Sequence, residues 1–182
     1  MKIQYIVALI VLVIAAVALA IHLRSRRVSS GPVVHVENGF VFTVHAPYKN
    51  VAPLFGAHEE RAWGGPDWNP HFLYPQPARD IAGEVFSVAH GHTRSTWVNT
   101  AFDLESGHVQ YVYVVPDAQA VLIDIHLHED SPSSTTAKVV YQRTALTAGF
   151  NSHVTELGEK DATSANEWQT AIESYLDAHS MK

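Results

Sequence analysis

Twelve histidines in 182 residues are the first chemical feature of this chain. Two close pairs stand out, His90-Gly91-His92 and His126-Leu127-His128. Residues i and i+2 of a strand share a face, so each pair would offer two imidazoles to one metal ion. A closed or catalytic site needs three or four ligands, and the sequence identifies no third. His126 and His128 also share their face with Asp124, opposite an apolar one, which reads as a solvated surface. The run His58-Glu59-Glu60-Arg61-Ala62 has no histidine four residues after His58, so it is not the metalloprotease motif. Asp103, Asp124, His126 and Arg143 fall on or near predicted strands, and nothing in their spacing makes them converge. There is no Gly-rich phosphate loop and no Gly-x-Ser-x-Gly elbow. The absence of cysteine removes thiolate chemistry, disulfides and cysteine zinc sites. The expectation is no metal, no cofactor and no catalytic residue set.

The aromatic residues suggest a different kind of chemistry. Trp63, Trp68, Trp97, Tyr111, Tyr113, Tyr141 and Trp168 recur at positions that would border one interior space. Aromatic walls suit a flat or acyl ligand, because each ring supplies much apolar area with few rotamers to freeze. Tyrosine hydroxyls can orient a ligand carbonyl. The same rings could equally fill a core. Trp63 and Trp68, in loop or short-helix context, are the better candidates for a lid.

The elements that would position these rings can be read from periodicity. Val34 to Val44 predicts a strand, with a hairpin turn or bulge at Asn38-Gly39. Pro47 opens a short helix through Phe55, and Ala57 to Trp63 makes a second. Strands follow at 72–74, 84–89, 93–102, 109–115, 120–128 and 137–146. Val109, Tyr111, Tyr113 and Val115 share one face, as do Val121, Ile123, Ile125 and Leu127, while Val139 and Tyr141 pair on one side of the last strand. Polar turns at 103–107, 116–119 and 129–134 make consecutive strands an antiparallel meander. The period then changes. Phe150, Val154, Leu157, Ala165, Trp168, Ile172 and Leu176 form one helical stripe once Asp161 is passed over. Gly158 and Asp161 weaken its middle, and Ser164 with Glu167 predicts a capping box where the helix restarts. That stripe needs a partner, and the open face of a curved sheet is the obvious one.

The first residues are of another kind. Ile3 to Ile21 is a 19-residue apolar run with only Gln4 and Tyr5 as mild interruptions. As a helix it spans roughly 28 Å, close to a bilayer's hydrocarbon core. Its length and the basic stop at Arg24, Arg26 and Arg27 favour a membrane anchor over a secretory signal cleaved near Ala20. The positive-inside rule then places the domain in the cytoplasm. Residues 1–27 hold four basic residues and no acid. Of 12 basic and 18 acidic residues in all, this leaves eight basic against eighteen acidic beyond them, a net of −10. So acidic a domain repels phosphate backbones, which argues against a nucleic-acid partner.

Strand, two short helices, about six strands and a long helix is the order of a helix-grip domain. The segments Glu59-Glu60-Arg61-Ala62-Trp63, Trp68-Asn69-Pro70, Tyr74-Pro75 and Gly83-Glu84-Val85-Phe86 resemble the SRPBCC superfamily, also called START-like or Bet v 1-like. Trp97-Val98-Asn99-Thr100, the run from Tyr111 to Pro116, residues 136–146 and Glu167-Trp168 fit as well. Within that superfamily the chain is similar to the polyketide cyclase/dehydrase-like group, over about residues 34–178. The resemblance implies an α+β helix-grip fold and a deep cavity between sheet and helix for lipids, polyketides or other hydrophobic molecules. Some members are cyclases or hydrolases and many only bind, so fold alone does not decide activity. The expected organisation is a transmembrane helix over 1–23, a basic stub and linker over 24–33, and the domain over 34–182. The expected ligand-binding residues are Trp63, Trp68, Trp97, Asn99, Tyr111, Tyr113, Tyr141 and Trp168. The alternatives are a cyclase, dehydratase or hydrolase using the same cavity, and a non-catalytic interaction module.

Overall fold

The computed structural model describes residues 12–19, 31–91 and 93–179. Residues 12–19 form an exposed helical segment, α1. No helix among the described residues is long and apolar enough to cross a membrane. The rest of the proposed anchor and the basic stub lie outside them.

From residue 31 on, seven strands form one antiparallel sheet in the order β1-β7-β6-β5-β4-β3-β2. They are β1 (His35–Val44), β2 (His71–Tyr74), β3 (Val85–His90), β4 (Thr93–Asp103), β5 (His108–Val115), β6 (Gln119–Ser131) and β7 (Ser134–Ala145). Strands β2 to β7 are a meander, and β1 closes against β7. Between β1 and β2 lie α2 (Tyr48–Val51) and two single turns of 3₁₀ helix, Ala52–Phe55 and Glu59–Ala62. After β7 come α3 (Asn151–Asp161) and α4 (Ala165–His179).

The alternation along the strands decides what faces inward. Val109, Tyr111, Tyr113, Val121, Ile123, Ile125, Leu127, Ala137 and Val139 are all buried on one face. Phe40, Phe42 and Val44 of β1 continue it. Register slips of the β-bulge kind, at Asn99/Ala101 in β4 and at Glu129/Ser131 in β6, bend the ladder locally. Ile172 of α4 and Val154 of α3 are wholly buried against this surface. Burying a side chain of this size contributes about 1.5–3 kcal/mol.

Three local expectations are corrected. Asn38-Gly39 is neither a turn nor a bulge, because β1 pairs with β7 without a slip from His35 to Val44. Glycine is needed there for close approach, since a Cβ on Gly39 would strike the Val139 carbonyl oxygen. Strand β6 runs on to Ser131, so the last hairpin is tighter than 129–134. Cross-strand pairs such as His128 with Thr136 and Glu129 with Thr135 extend the ladder over residues whose polarity suggested a loop. At the helix break, the Ser164 hydroxyl donates to the Lys160 carbonyl at 3.0 Å instead of forming the predicted box with Glu167. The break itself falls at residues 162–164, beside the expected weak points. Gly158 lets α3 press on β1, where a Cβ would lie 2.9 Å from Val36 Cγ2.

Candidate functional site

The concave sheet and α4 do not quite meet. Between them lies a chamber of about 240 Å³. Strands β4 to β7 supply Trp97, Tyr111, Tyr113, Ile123, Ile125 and Tyr141 to its wall. Helix α4 supplies Trp168, and the segment between β1 and β2 supplies Phe55, Glu60 and Trp68. The rings hold one another in place. Trp97 stacks on Tyr113 at 4.0 Å between centroids, and Trp68 stands edge-on to Trp97 at 5.4 Å. Two of the polar tips are tied to backbone, which leaves those rings' apolar faces for the interior. Trp68 Nε1 donates to the Ala57 carbonyl at 3.2 Å, and the Tyr111 hydroxyl to the Phe55 carbonyl at 2.9 Å.

Six of the eight expected residues therefore share this wall: Trp68, Trp97, Tyr111, Tyr113, Tyr141 and Trp168. Trp63 sits outside it. Its ring packs edge-on against Trp168 at 5.3 Å and its Nε1 donates to the Leu54 carbonyl at 2.8 Å. Asn99 is wholly buried two residues beyond Trp97 on β4, opposite Tyr111, with its backbone N–H donating to the Glu84 carbonyl at 2.9 Å.

Two charged side chains turn inward. Arg143 of β7 donates through Nε and Nη2 to both oxygens of Asp161, at 2.6 and 2.8 Å. Its Nη1 donates to the Tyr113 hydroxyl at 2.8 Å, and its guanidinium lies 4.8 Å above the Tyr141 ring. Burial alone would lower the arginine's pKa, but the Asp161 and Tyr113 contacts outweigh it, so Arg143 stays charged. Asp161 is the residue that interrupted the apolar stripe, and this pair is why an acid stands there. Burial raises the Tyr113 hydroxyl above its usual range, with Arg143 partly offsetting it.

Glu60 is the other. It projects into the aromatic chamber with no hydrogen-bond partner among the described residues. Burial, then the negative charge of Asp80, pushes its carboxyl up to about 8. Glu84 is wholly buried nearby with neither carboxylate oxygen hydrogen-bonded, and the same two causes push it up to about 8. Burial favours the protonated form of both carboxyls. Asp80 accepts the His58 backbone N–H at 2.7 Å and is also raised by burial. The burial of Tyr111, and then the charges of these three acids, raise its hydroxyl well above the ordinary range.

A second, outer pocket of about 480 Å³ opens between the β5–β6 turn, the start of β4 and α3. It shares Trp97, Tyr113 and Arg143 with the inner chamber. These three side chains are the partition between the two spaces. Phe150 and His153 of the helical segment form its outer lip.

The remaining acid–base candidates are elsewhere. Asp103 caps the β4–β5 turn, accepting from Ser106 Oγ at 2.8 Å. Asp124 and His126 alternate with the inward Ile123, Ile125 and Leu127, so they lie on the convex face. His92 lies outside the described residues, so the His90-Gly91-His92 pair is not placed.

No family model and no curated protein matches this chain. Solved structures do. Norcoclaurine synthase from Thalictrum flavum, in complex with dopamine and hydroxybenzaldehyde, superposes over 81% of this chain and 89% of its own, with TM-score 0.57 and 13% identity. The Zhui aromatase/cyclase from Streptomyces sp. R1128 matches over 80% and 94%, with TM-score 0.57 and 14% identity. The Mll3558 protein from Rhizobium loti matches over 80% and 100%, with TM-score 0.55 and 17% identity. The fold is the helix grip. At these identities the likeness shows the fold alone.

Proposed function

We propose that this domain binds a hydrophobic, aromatic-bearing small molecule in the chamber between the sheet and α4. The observation that carries the reading is the wall itself, where aromatic rings from the sheet, α4 and the β1–β2 segment surround one space. A cavity of 150 Å³ accepts benzene, so this chamber suits on the order of one or two rings. A longer molecule would pass Tyr113 and occupy the outer pocket too. Norcoclaurine synthase, with dopamine and hydroxybenzaldehyde bound, shows the same architecture holding aromatic molecules in another protein. We further propose that residues 3–21 tether the domain to a membrane, with the domain on the cytoplasmic side. Exchange of ligand with the adjoining bilayer would follow.

One observation favours a second reading. An enzyme of the cyclase, dehydratase or hydrolase kind needs a titratable group inside the cavity, and Glu60 is one. Its raised pKa suits a carboxylic acid that donates a proton to a ligand oxygen near neutral pH.

Native mass spectrometry of the full chain, gently purified from its own cells, tests the first reading. The expected result is a reproducible small-molecule adduct that disappears on denaturation. A bare protein mass that also fails to enhance anilinonaphthalene sulfonate fluorescence would overturn it and favour an interaction module. With an adduct in hand, Glu60→Gln separates binding from catalysis. A binder keeps its adduct unchanged, whereas an enzyme accumulates unconverted substrate.

A further inference from the structure

The convex face of the sheet carries a group of side chains that the cavity does not use. His108 of β5 and His126 of β6 are direct cross-strand partners. Their rings stack 4.8 Å apart and within 7° of parallel. Asp124 sits two residues before His126, on the same face. Its Oδ1 lies 2.8 Å from His108 Nε2 and its Oδ2 3.1 Å from His126 Nε2. All three donor atoms fall within 4.8 Å of one another. We propose that His108, Asp124 and His126 form a binding site for a divalent transition-metal ion of the zinc class, on the face opposite the ligand chamber.

The ordinary alternative is a hydrogen-bonded surface cluster, and the geometry goes beyond that. Both imidazoles turn the same nitrogen, Nε2, toward one carboxylate. Neither Nδ1 has a partner among the described residues, so each ring can carry its proton there and free the Nε2 lone pair. Metal bonds of about 2.0–2.2 Å require donors roughly 3–3.5 Å apart, and two of the separations are already near this. The backbone ladder fixes the three Cα positions, so only small side-chain rotations are needed. The support around the carboxylate is also built. Gln110, directly opposite Asp124, donates from Nε2 to Oδ1 at 2.9 Å. Thr100 in turn donates to Gln110 Oε1 at 2.9 Å, which orients that amide.

The donor set selects the ion. Two imidazoles with one carboxylate suit zinc, nickel or copper, whereas calcium and magnesium prefer oxygen donors. With side chains 27–56% exposed, water completes the coordination. Pairing across β5 and β6 was invisible along the sequence. The pair His126-Leu127-His128 suggested two ligands and no third, whereas the fold sets His126 beside His108 of the neighbouring strand and leaves His128 out of the group.

The site backs directly onto Ile123 and Ile125 of the chamber wall. An ion there cross-links β5 to β6 behind the ligand, so binding will also stabilise the domain. The test is calorimetric titration of chelator-stripped full chain with zinc chloride. One ion per chain is expected to bind saturably, with a rise in Tm of roughly 5 °C in excess zinc. His108→Ala and His126→Ala should each weaken binding at least about tenfold, with unchanged far-ultraviolet circular dichroism. His128→Ala and His58→Ala should leave it intact. Long-range proton–nitrogen spectra of the unmutated chain read the ligands directly. The Nε2 resonances of two histidines should move on adding zinc, and should not move in either variant. No saturable binding at millimolar zinc, or binding undiminished in the double variant, would overturn the site. Loss of binding in His58→Ala would do the same, by moving the ion to the His58, Glu59 and Asp80 group.

Discussion

Glu84 has no exposed surface and no hydrogen bond to either carboxylate oxygen. Its folded pKa near 8 exceeds the unfolded value of 4.5, which has a definite sign in stability. Between those values the folded state holds a proton that the unfolded state has lost, so stability falls as pH rises. Glu60 acts in the same direction over the same range. Glu84→Gln keeps the shape and removes the titration. It should raise Tm at pH 8.5 by at least about 2–4 °C, the shift that ~1 kcal/mol produces in a domain of this size, and change little at pH 4. Thermal unfolding followed by circular dichroism at both pH values checks this. An equal effect at the two pH values would mean that the fold does not raise the Glu84 pKa. The position was legible in principle. Glu84 alternates in step with Phe86 and Val88, both buried, so parity alone points it inward. Arg143, in step with Val139 and Tyr141, is legible in the same way.

Helix α3 is pinned to β7 by Arg143 and Asp161, the bidentate pair with Tyr113 as third partner. Removing one member leaves the other buried and uncompensated, which costs about 3–5 kcal/mol, whereas apolar replacement of both is far milder. Asp161→Ala should therefore lower the urea midpoint substantially, and the Arg143→Met, Asp161→Leu double variant should recover most of the loss. Singles and double that add without coupling would show that the pair does not hold the helix. Much of the element map was readable, because period-two alternation over β5 to β7 and the stripe on α3 and α4 are strong local signals. What failed was punctuation. Asn38-Gly39 has the composition of a turn, but β1 lies flat against β7 and the glycine serves backbone contact with Val139. Polar residues at 129–131 looked like a loop, but their backbone groups find partners in β7.

At the scale of the whole molecule the apolar run before the domain is the main expectation still to be measured. If residues 3–21 span a bilayer, the full chain should stay with the membrane pellet through alkaline carbonate extraction. Arginine at both Ile10 and Ile14 should release it, since each charge near the helix centre costs about 2.5–3.5 kcal/mol. Extraction of the unmutated chain into the supernatant would dispose of the tether. The net charge of −10 beyond residue 27 belongs to this scale too, and it predicts repulsion of polyanions.

The sequence by itself determined the class of fold, the direction most side chains face and the presence of an aromatic set. These follow from short-range periodicity, in which each residue's burial is fixed by its near neighbours in the chain. Only the tertiary structure decided which rings share one space. It placed Trp63 behind Trp168 and Asn99 beside Glu84 while joining Trp68 from a loop to Trp97 on β4. It also decided where the charges meet, bringing Arg143 to Asp161 and His108 to His126. Those meetings depend on strand register and helix docking, which are set by the packing of the whole sheet and leave no trace in the spacing of the residues concerned.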